Sequence, residues 1–337
     1  MEDENKKFRG QFFTINNPFV ENAFYEWFFK IPKGKRNIII EPFAGSNNIV
    51  KMINSLKIGA FQWNCFDIEP PKENAAPEYI VYKRDTIEDF PKIDNAFIGI
   101  TNPPYLAKNS ATRSGLPFKY IKYDDLYKKC LEVMLANLEY VAAIIPESFI
   151  TANLFHDRLH SVISLTCKMF DDTDCPVCLA MFSPLGESPE DNFDIFRQGA
   201  YEKVGSFKYL DSLSIKSDFN RKSWIFNDPN GQIGILCVDN TKEPSIKFVK
   251  GNVIDSSEIK VSSRSRTRVS GLPKNINLDL FLDKCNSTLK EYRELTKDVF
   301  LTSFKGLRDD GFYRRRLDFD IAKNIMGYVL EEMTNDW

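Results

Sequence analysis

The sequence predicts an α/β protein with a doubly wound, mostly parallel sheet and a second, C-terminal α+β domain. In the first half of the chain, short apolar runs alternate with helical patterns, which is typical of a parallel sheet whose strands are joined by helices. A Pro-, Gly- and Ser-rich acidic stretch at 183–192 interrupts this pattern, and shorter strands separated by turns follow it. At about 150 residues per domain, 337 residues indicate two domains, which we place at 1–185 and 190–337.

Each predicted element rests on a run or a periodic pattern of apolar residues. Strands of the first domain are predicted at the compact apolar runs 37–41, 61–66, 79–82, 96–100, 140–146, 164–170 and 177–182. Helices are predicted where apolar residues recur at helical spacing, at 49–56 and 126–138. By the same signals, the second domain contains strands at 232–238 and 246–249 and helices at 278–289 and 319–333.

Composition and charge exclude several classes of protein. With 45 Lys and Arg against 47 Asp and Glu, the net charge of -2 gives no global attraction to polyanions, so a nucleic-acid site must be a local patch. No run approaches the roughly 18 apolar residues of a membrane span. The acidic N-terminus lacks the basic and apolar regions of a signal peptide. The seven cysteines are therefore expected to be free thiols in a reducing cytoplasm.

The most informative motif is Asn102-Pro103-Pro104-Tyr105, which follows the predicted strand 96–100. The exocyclic amine of adenine is a poor nucleophile because its lone pair is delocalised into the ring. Two acceptors that take both N–H bonds favour a more tetrahedral nitrogen, and Asn102 Oδ1 and the Pro103 carbonyl can supply them. Tyr105 offers a face on which a planar base can stack. A simple turn after a strand is the alternative explanation of the same residues.

Three acidic residues follow successive predicted strands. In open parallel sheets the ligand crevice lies at the carboxyl ends of the strands, so these residues are expected to converge. Glu41 precedes a turn in which Gly45 lets a ligand approach the backbone, but the full Gly-x-Gly-x-x-Gly pattern of a dinucleotide site is missing. Glu41 could meet an ammonium group, Asp67 could accept from ribose hydroxyls, and Asp85 could accept from an adenine amino group.

Together these motifs resemble the S-adenosylmethionine-dependent DNA adenine-N6 methyltransferases of the gamma motif order, which occur in restriction-modification systems. The resemblance covers residues 8–182 and begins with the segment 9–14, where Thr14 matches the residue that contacts the methionine end of the cofactor. It implies a Rossmann-like methyltransferase domain, S-adenosylmethionine as cofactor and direct methyl transfer without a metal. It also implies double-stranded DNA as substrate, a C-terminal target-recognition domain, and a cognate restriction endonuclease that acts separately.

The resemblance assigns roles residue by residue. Catalysis falls to Asn102, Pro103, Tyr105 and Phe170, of which Phe170 contacts the flipped base from the side opposite Tyr105. Cofactor binding falls to Thr14, Glu41, Phe43, Ala44, Gly45, Asp67, Ile68, Asp85, Thr86 and Asn102.

Other functions remain open at this point. Asn-Pro-Pro-Tyr also occurs in methyltransferases that act on RNA adenines or on a protein glutamine amide, whose nitrogen poses a similar problem. A non-catalytic nucleic-acid-binding relic of the fold would show damage at Asn102 or at the cofactor acids, which are intact. Cys175 and Cys178, with His156 and His160 on a predicted helix, have an unusual spacing for zinc ligands, and we expect no metal site.

A basic segment lies in the second domain. Residues 261–316 carry 13 Lys and Arg against 7 Asp and Glu, in a chain that is slightly acidic as a whole. Arginine suits bidentate contacts with guanine edges and phosphates. Alternate residues of a strand share one face, as Arg264, Arg266 and Arg268 would. DNA binding is therefore predicted for Arg264, Arg266, Arg268, Arg308, Arg314, Arg315 and Arg316.

Overall fold

A computed structural model describes residues 14–171, 173–187, 192–217 and 223–335 of the chain. The chain divides into two compact units, residues 1–207 (unit 1) and 208–337 (unit 2). This division falls after the predicted break at 185–190, because the strand Asp194–Arg197 pairs with Leu159–Ser164 and extends the first sheet past the acidic stretch. Residues 9–13 of the N-terminal motif lie outside the described residues.

Unit 1 is built on a nine-stranded sheet. Its described strands are β1 Ile38–Glu41, β2 Gln62–Asp67, β3 Val81–Lys83, β4 Ile98–Thr101, β5 Tyr140–Pro146, β6 Leu159–Ser164, β7 Val177–Phe182, β8 Asp194–Arg197 and β9 Gly205–Ser206. They lie in the order β3-β2-β1-β4-β5-β7-β6-β8-β9. β7 runs antiparallel to β5 and β6, and β9 antiparallel to β8, whereas the other described pairs are parallel. The predicted mostly parallel α/β sheet is confirmed.

The central strands are apolar along their whole length because both of their faces are covered. Every residue of β4 and β7 is buried, and β5 is buried up to Pro146. β3 forms an edge of the sheet and leaves Tyr82 exposed. The described helices of unit 1 are α1 Asn22–Lys30, α2 Asn48–Ser55, α3 Lys108–Arg113 and α4 Leu126–Asn137. A fifth helix, α5 Phe207–Ser212, begins at the last residue of unit 1 and continues into unit 2.

The strand order reverses between β1 and β4. From β1 the chain adds β2 and β3 on one side of the sheet, and it then returns to add β4 and β5 on the other. Ligand crevices of open α/β sheets lie at the carboxyl ends of the strands at such a reversal. Glu41 ends β1 and Thr101 ends β4, so the topology brings the two most informative sequence motifs to the same place.

Two predictions between residues 155 and 170 are wrong. The strand predicted at 164–170 lies at Leu159–Ser164, and the two histidines predicted to share a helix lie in a turn and on β6. Pairing of β6 with β7 on one side and β8 on the other overrides the helical spacing of the histidines. Residues 168–170 pair instead with the start of the described chain, where the Ile15 N–H donates to the Met169 carbonyl at 3.0 Å.

Unit 2 is an α+β domain, as predicted. Its described strands are β10 Ile225–Phe226, β11 Ile233–Leu236, β12 Lys247–Lys250, β13 Arg266–Ser270, β14 Thr302–Leu307 and β15 Tyr313–Arg316. The first four form an antiparallel sheet of order β10-β13-β11-β12, and β14 and β15 form a hairpin. Helices α6 Leu278–Thr296 and α7 Phe319–Asn335 pack against each other, and their core includes Phe281, Leu289, Ile325 and Val329. Across the described ranges, no helix has the length and hydropathy of a membrane span.

A buried carboxylate, Asp239, holds the β14–β15 hairpin to the rest of unit 2. It accepts hydrogen bonds from Arg293 Nη1 and Nη2 at 2.9 and 2.8 Å and from Arg308 Nη1 at 2.9 Å. The N–H groups of Ser245 and Arg315 also donate to it. Although burial opposes ionisation of Asp239, hydrogen bonds and charge from Arg293 lower its pKa to about 2.

We expect Asp239→Asn to destabilise unit 2 by about 3–5 kcal/mol at pH 7, because the substitution removes the counter-charge of two buried guanidinium groups. The native pKa of about 2 lies below the ordinary 3.8, so this stabilisation is present above about pH 4 and is lost as the pH falls toward 2. Urea unfolding at pH 7 and pH 3 should show a smaller difference from wild type at pH 3. A loss of stability no larger than that of the exposed control Asp283→Asn would contradict the role of Asp239.

Candidate active site

Glu41 is the buried acid of the site. Its Oε1 accepts hydrogen bonds from the Thr101 hydroxyl and, at 3.3 Å, from the Phe43 N–H. Its Oε2 is also buried and has no hydrogen-bond partner among the described residues. Burial, reinforced by the charge of Asp67, raises the pKa of Glu41 to about 8, against the two hydrogen bonds, which lower it. The site therefore holds a half-satisfied carboxyl group that would gain a partner if a cationic donor bound.

Asp67, at the end of β2, shapes the turn after β1. Gly45 and Asn47 both have positive φ, at 48° and 58°, a conformation that glycine adopts without a steric penalty. The Gly45 N–H donates to Asp67 Oδ2 at 2.9 Å, and the Glu69 N–H donates to Oδ1 at 2.8 Å. The predicted turn and the predicted acid of the next strand are therefore in direct contact.

The loop after β3 is tied to the same turn. Thr86 is buried, and its hydroxyl donates to the Pro42 carbonyl at 2.8 Å. Asp85 Oδ1 accepts from the N–H groups of Ile87 and Glu88 at 3.2 and 3.3 Å. The Asp85 carboxylate therefore caps a turn at the carboxyl edge of the sheet.

The apolar residues assigned to the cofactor differ in exposure. Ala44 is buried, and its N–H donates to the Phe66 carbonyl at 2.8 Å, which fixes the turn against β2. Phe43 is half-buried, whereas Ile68, directly after Asp67, is 52% exposed. Ile68 therefore offers an open apolar surface beside a buried acid.

The Asn-Pro-Pro-Tyr motif directly follows β4, and its side chains are held by neighbours on other elements. Asn102 Nδ2 donates to Thr14 Oγ1 at 3.2 Å. The Tyr105 hydroxyl lies 2.5 Å from both Asn102 Oδ1 and the Ile144 carbonyl. Pro103 is buried. These contacts orient the Asn102 amide with its oxygen toward Tyr105.

The two predicted aromatic residues contact each other. Phe170 is fully buried, and its ring centroid lies 6.0 Å from that of Tyr105 at an interplanar angle of 74°. Tyr105 is only 8% exposed and makes a second edge-to-face contact with Tyr127. Burial raises the pKa of Tyr105 well above its ordinary value, so its hydroxyl remains a neutral donor. The bridge between Thr14 and Phe170 completes a cluster of the predicted catalytic residues.

Two residues of the site were not predicted from the sequence. Thr101, the last residue of β4, is buried and donates to Glu41. Asn47 is also buried, and its Nδ2 donates to Asn74 Oδ1 and to the Tyr79 carbonyl at 3.1 and 2.9 Å, which ties the loop after β2 to the turn after β1. The sequence signal for Asn47 was its place at the end of the turn Gly45-Ser46-Asn47, because Asn tolerates positive φ better than most residues.

The cysteines and histidines that were considered as zinc ligands lie on different elements of unit 1. Cys178 is buried in β7, and the ring of His156 packs 4.8 Å from that of Phe193. His160 lies on β6. In the part of the chain that the structure describes, no three His, Cys, Asp or Glu side chains are grouped as metal ligands.

Two of the arginines assigned to DNA lie inside unit 2. Arg308 has a side chain that is 5% exposed and ion-paired with Asp239 and Asp310. Arg315 is 7% exposed and donates to the Ser303 hydroxyl. Alternation along β15 turns Arg315 inward, although it stands between two outward arginines. We therefore leave Arg308 and Arg315 out of any DNA surface.

The other predicted arginines are wholly or partly exposed, and two of them are ion-paired, Arg266 with Glu258 and Arg316 with Asp318. Arg266 and Arg268 share the outward face of β13, while Thr267 and Val269 between and beside them are buried. Arg264 precedes the strand and lies over the Phe319 ring. Arg314 and Arg316 lie on the outward side of β15 and are partly buried.

No protein-family model matches the chain, and no curated protein is similar to it at a significant level. Similar folds occur in a Listeria monocytogenes protein described as a class I S-adenosylmethionine-dependent methyltransferase (TM-score 0.38, 13% identity, 56% of this chain and 66% of that chain). They also occur in the methyltransferase subunit of a Streptococcus thermophilus type I restriction-modification system (0.37, 14%, 60% and 52%). A third is the M protein of the type I restriction enzyme EcoKI (0.36, 11%, 85% and 71%). The match spans two thirds or less of the first two proteins, and the likeness is one of fold alone.

We expect Glu41→Gln to raise the melting temperature of the ligand-free protein at pH 9 and to change it little at pH 5. The folded pKa of about 8 lies above the ordinary 4.5, so the stability carried by neutral Glu41 is present below about pH 4.5 and is lost as the pH rises through 8. The amide does not ionise and loses nothing over this range. Thermal denaturation at pH 5, 7 and 9 tests this, with the exposed Glu73→Gln as control. Equal melting temperatures of variant and wild type at pH 9 would refute the buried-acid assignment.

Proposed function

We propose that this chain is an S-adenosylmethionine-dependent methyltransferase that methylates the exocyclic amine of an adenine flipped out of double-stranded DNA. The observation that carries the proposal is a continuous polar path across the carboxyl ends of β1 and β4. It runs from Glu41 to Thr101 and, through the adjacent Asn102, to Tyr105. One end of this path suits an ammonium group, and the other suits an amine that needs activation.

The residues after β1, β2 and β3 fit the cofactor. Glu41 Oε2 lacks a partner and would accept from the α-ammonium group. Asp67 and Asp85 would serve the ribose and adenine, with Ile68 as an apolar surface for the ring. When bound, S-adenosylmethionine supplies an electrophilic methyl group on a sulfonium. Because Glu41 in the free protein has a pKa of about 8, pairing with an ammonium at neutral pH would release its proton to solvent.

Asn102 and Pro103 would activate the target amine. Asn102 Oδ1 accepts one N–H bond and the Pro103 carbonyl accepts the other, which frees the nitrogen lone pair from the ring. Thr14 accepts from Asn102 Nδ2 at 3.2 Å and so fixes the amide with its oxygen as the acceptor, beside the Tyr105 hydroxyl. Positioning of this kind needs no covalent intermediate.

The Tyr105 hydroxyl can release Asn102 Oδ1 to a substrate and still keep a hydrogen-bond acceptor of its own. Its hydroxyl has one hydrogen and two acceptors at 2.5 Å, Asn102 Oδ1 and the Ile144 carbonyl. When a substrate amine donates to Asn102, the hydroxyl can donate to Ile144 alone. An unsatisfied buried donor would cost about 1–3 kcal/mol, and this second acceptor avoids that penalty.

Unit 2 supports DNA as the substrate class. Arg266 and Arg268 project from one strand face, and guanidinium groups suit phosphates and guanine edges. Contacts of this kind would hold a duplex while one base is unstacked at a cost of a few kcal/mol. As the resemblance implies, we also propose a separate restriction endonuclease of the same sequence specificity as a partner.

Tritiated methyl transfer from S-adenosylmethionine to duplex DNA, RNA and protein in parallel tests the function. Label in DNA that is recovered as N6-methyladenine supports the proposal. Label only in RNA or only in protein glutamine would assign the chain to one of those acceptors instead. Cofactor binding without transfer to any acceptor would identify a non-catalytic binder.

We expect Asn102→Ala to abolish methyl transfer while cofactor affinity stays within a few-fold of wild type, because the Asn102 oxygen acts on the target amine. Calorimetry with S-adenosylmethionine and the transfer assay separate the two effects. Asn137→Ala, which removes a surface amide at the end of α4, is the control. Near-normal turnover of the Asn102 variant would refute the catalytic assignment.

We expect the double variant Arg266→Ala/Arg268→Ala to weaken DNA binding and to lower the slope of log K against log salt by about 0.9 for each phosphate that the protein no longer neutralises. Cofactor affinity should not change. Fluorescence anisotropy with a mixed-sequence duplex at several salt concentrations measures both affinity and slope. Lys242→Ala/Lys290→Ala removes two exposed cations elsewhere in unit 2 and is the matched control. The same slope in wild type and in the arginine variant would exclude this face.

A further inference from the structure

The chain leaves the Asn-Pro-Pro-Tyr motif through a closed loop, residues 107–125, which the function proposed above does not use. Its two ends are held together: the Lys108 N–H donates to the Asp124 carbonyl at 2.7 Å, and the Leu126 N–H donates to the Leu106 carbonyl at 3.2 Å. The Leu106 N–H also donates to Asp125 Oδ1 at 3.0 Å. The loop includes α3, and it starts two residues after Tyr105 of the proposed catalytic motif.

The 107–125 loop is cationic. The loop holds four Lys or Arg residues, Lys108, Arg113, Lys119 and Lys122, against two acids, Asp124 and Asp125, at its last two positions. Lys119 and Lys122 are ion-paired with acids outside the loop. Lys108 and Arg113 are exposed, and neither makes an ion pair within the described residues. These two positive charges are therefore uncompensated beside the catalytic motif, in a chain whose net charge is -2.

The loop also exposes an apolar side chain. Ile121 is 86% exposed and stands between Tyr120 and Lys122. On the two residues before it, the Tyr120 hydroxyl and Lys119 Nζ both contact Glu88 Oε1, at 2.9 and 2.8 Å. An isoleucine in this setting, flanked by cations, is presented to a partner that is both anionic and able to receive an apolar group.

We propose that the 107–125 loop is a second DNA contact, with Lys108 and Arg113 on phosphates and Ile121 inserted into the base stack beside the flipped adenine. Double-stranded DNA meets both requirements, because its phosphates attract cations and its base steps accept apolar wedges such as Ile. The proposal rests on the function proposed above, since only a base-flipping enzyme needs a wedge next to its pocket. Charge complementarity and the exposed Ile121 support duplex DNA as the occupant.

Binding of a fluorescein-labelled, mixed-sequence duplex to the full chain tests the contact directly. Lys108→Ala/Arg113→Ala should weaken binding roughly 5- to 20-fold near 100 mM salt and lower the salt slope by about 1.8, which corresponds to two phosphates. Lys57→Ala/Lys92→Ala is the matched control, because it removes two exposed cations that precede β2 and β4 and so lie away from the carboxyl ends of the strands. The proposal is overturned if the loop variant shows an unchanged salt slope for the DNA duplex. It is also overturned if, in a parallel titration, the variant binds only single-stranded RNA more weakly.

Ile121→Ser tests the wedge. Once the methylated sequence has been mapped, this variant should transfer methyl groups about tenfold more slowly to the fully paired site, because the opened stack is no longer filled. It should approach wild type on a duplex whose target adenine is mispaired, because unstacking that base costs less. Leu185→Ser, another exposed apolar residue of unit 1, should match wild type on both duplexes. Equal defects of Ile121→Ser on paired and mispaired duplexes overturn the wedge.

The two proposals can fail separately. If wild type binds duplex DNA through the loop but transfers no methyl group, the binding surface stands and the proposed enzyme function fails. If wild type methylates DNA and every loop variant behaves like wild type, the enzyme function stands and the loop contact fails.

Discussion

The hydrogen bond between Thr101 and Glu41 joins the carboxyl ends of β1 and β4 where the strand order reverses, and the site depends on it. It holds a buried carboxyl group whose second oxygen has no partner among the described residues. The turn after β1 starts from this residue, and the Asn-Pro-Pro-Tyr motif starts from the residue after Thr101. This contact therefore links the two motifs across the paired strands, and burial at this position disfavours the charged form of Glu41.

Two of the buried carboxyl groups, Asp239 and Glu41, have opposite properties. Asp239 accepts hydrogen bonds from two arginines and from backbone N–H groups, and its pKa falls to about 2. Glu41 is only half-satisfied, and its pKa rises to about 8. A fully paired buried charge stabilises one arrangement of the chain. A buried carboxyl group with only one satisfied oxygen can still gain a hydrogen bond and an opposite charge when a cation binds, and a binding site for a cation requires this property.

The sequence predicted most accurately the strands that are buried on both faces. The strands at 140–146 and 177–182 agree with the structure to the residue, because a strand covered on both faces must be continuously apolar. It also predicted that the residues following β1 and β4 converge, since topology alone brings the carboxyl ends of parallel strands together. It failed at 156–170, where tertiary strand pairing overrides local spacing. Nor does it indicate that Tyr105 already contacts the Asn102 oxygen, because such a contact depends on the conformations of the two side chains.

The charged residues show most clearly why the position of a residue in the sequence does not determine its function. The basic segment 261–316 suggested a single arginine surface, yet Arg308 neutralises a buried acid and Arg315 points into the interior. The 107–125 loop does not stand out in the sequence, because its cations are spread along the chain without forming a run. What a polyanion meets is the set of exposed cations, and only the structure shows which side chains belong to it. In unit 1 that set includes Lys108 and Arg113, which follow the Asn-Pro-Pro-Tyr motif in the chain. A slightly acidic protein could hold DNA in this way, because a few exposed cations act over about a Debye length, whereas distant acids are screened.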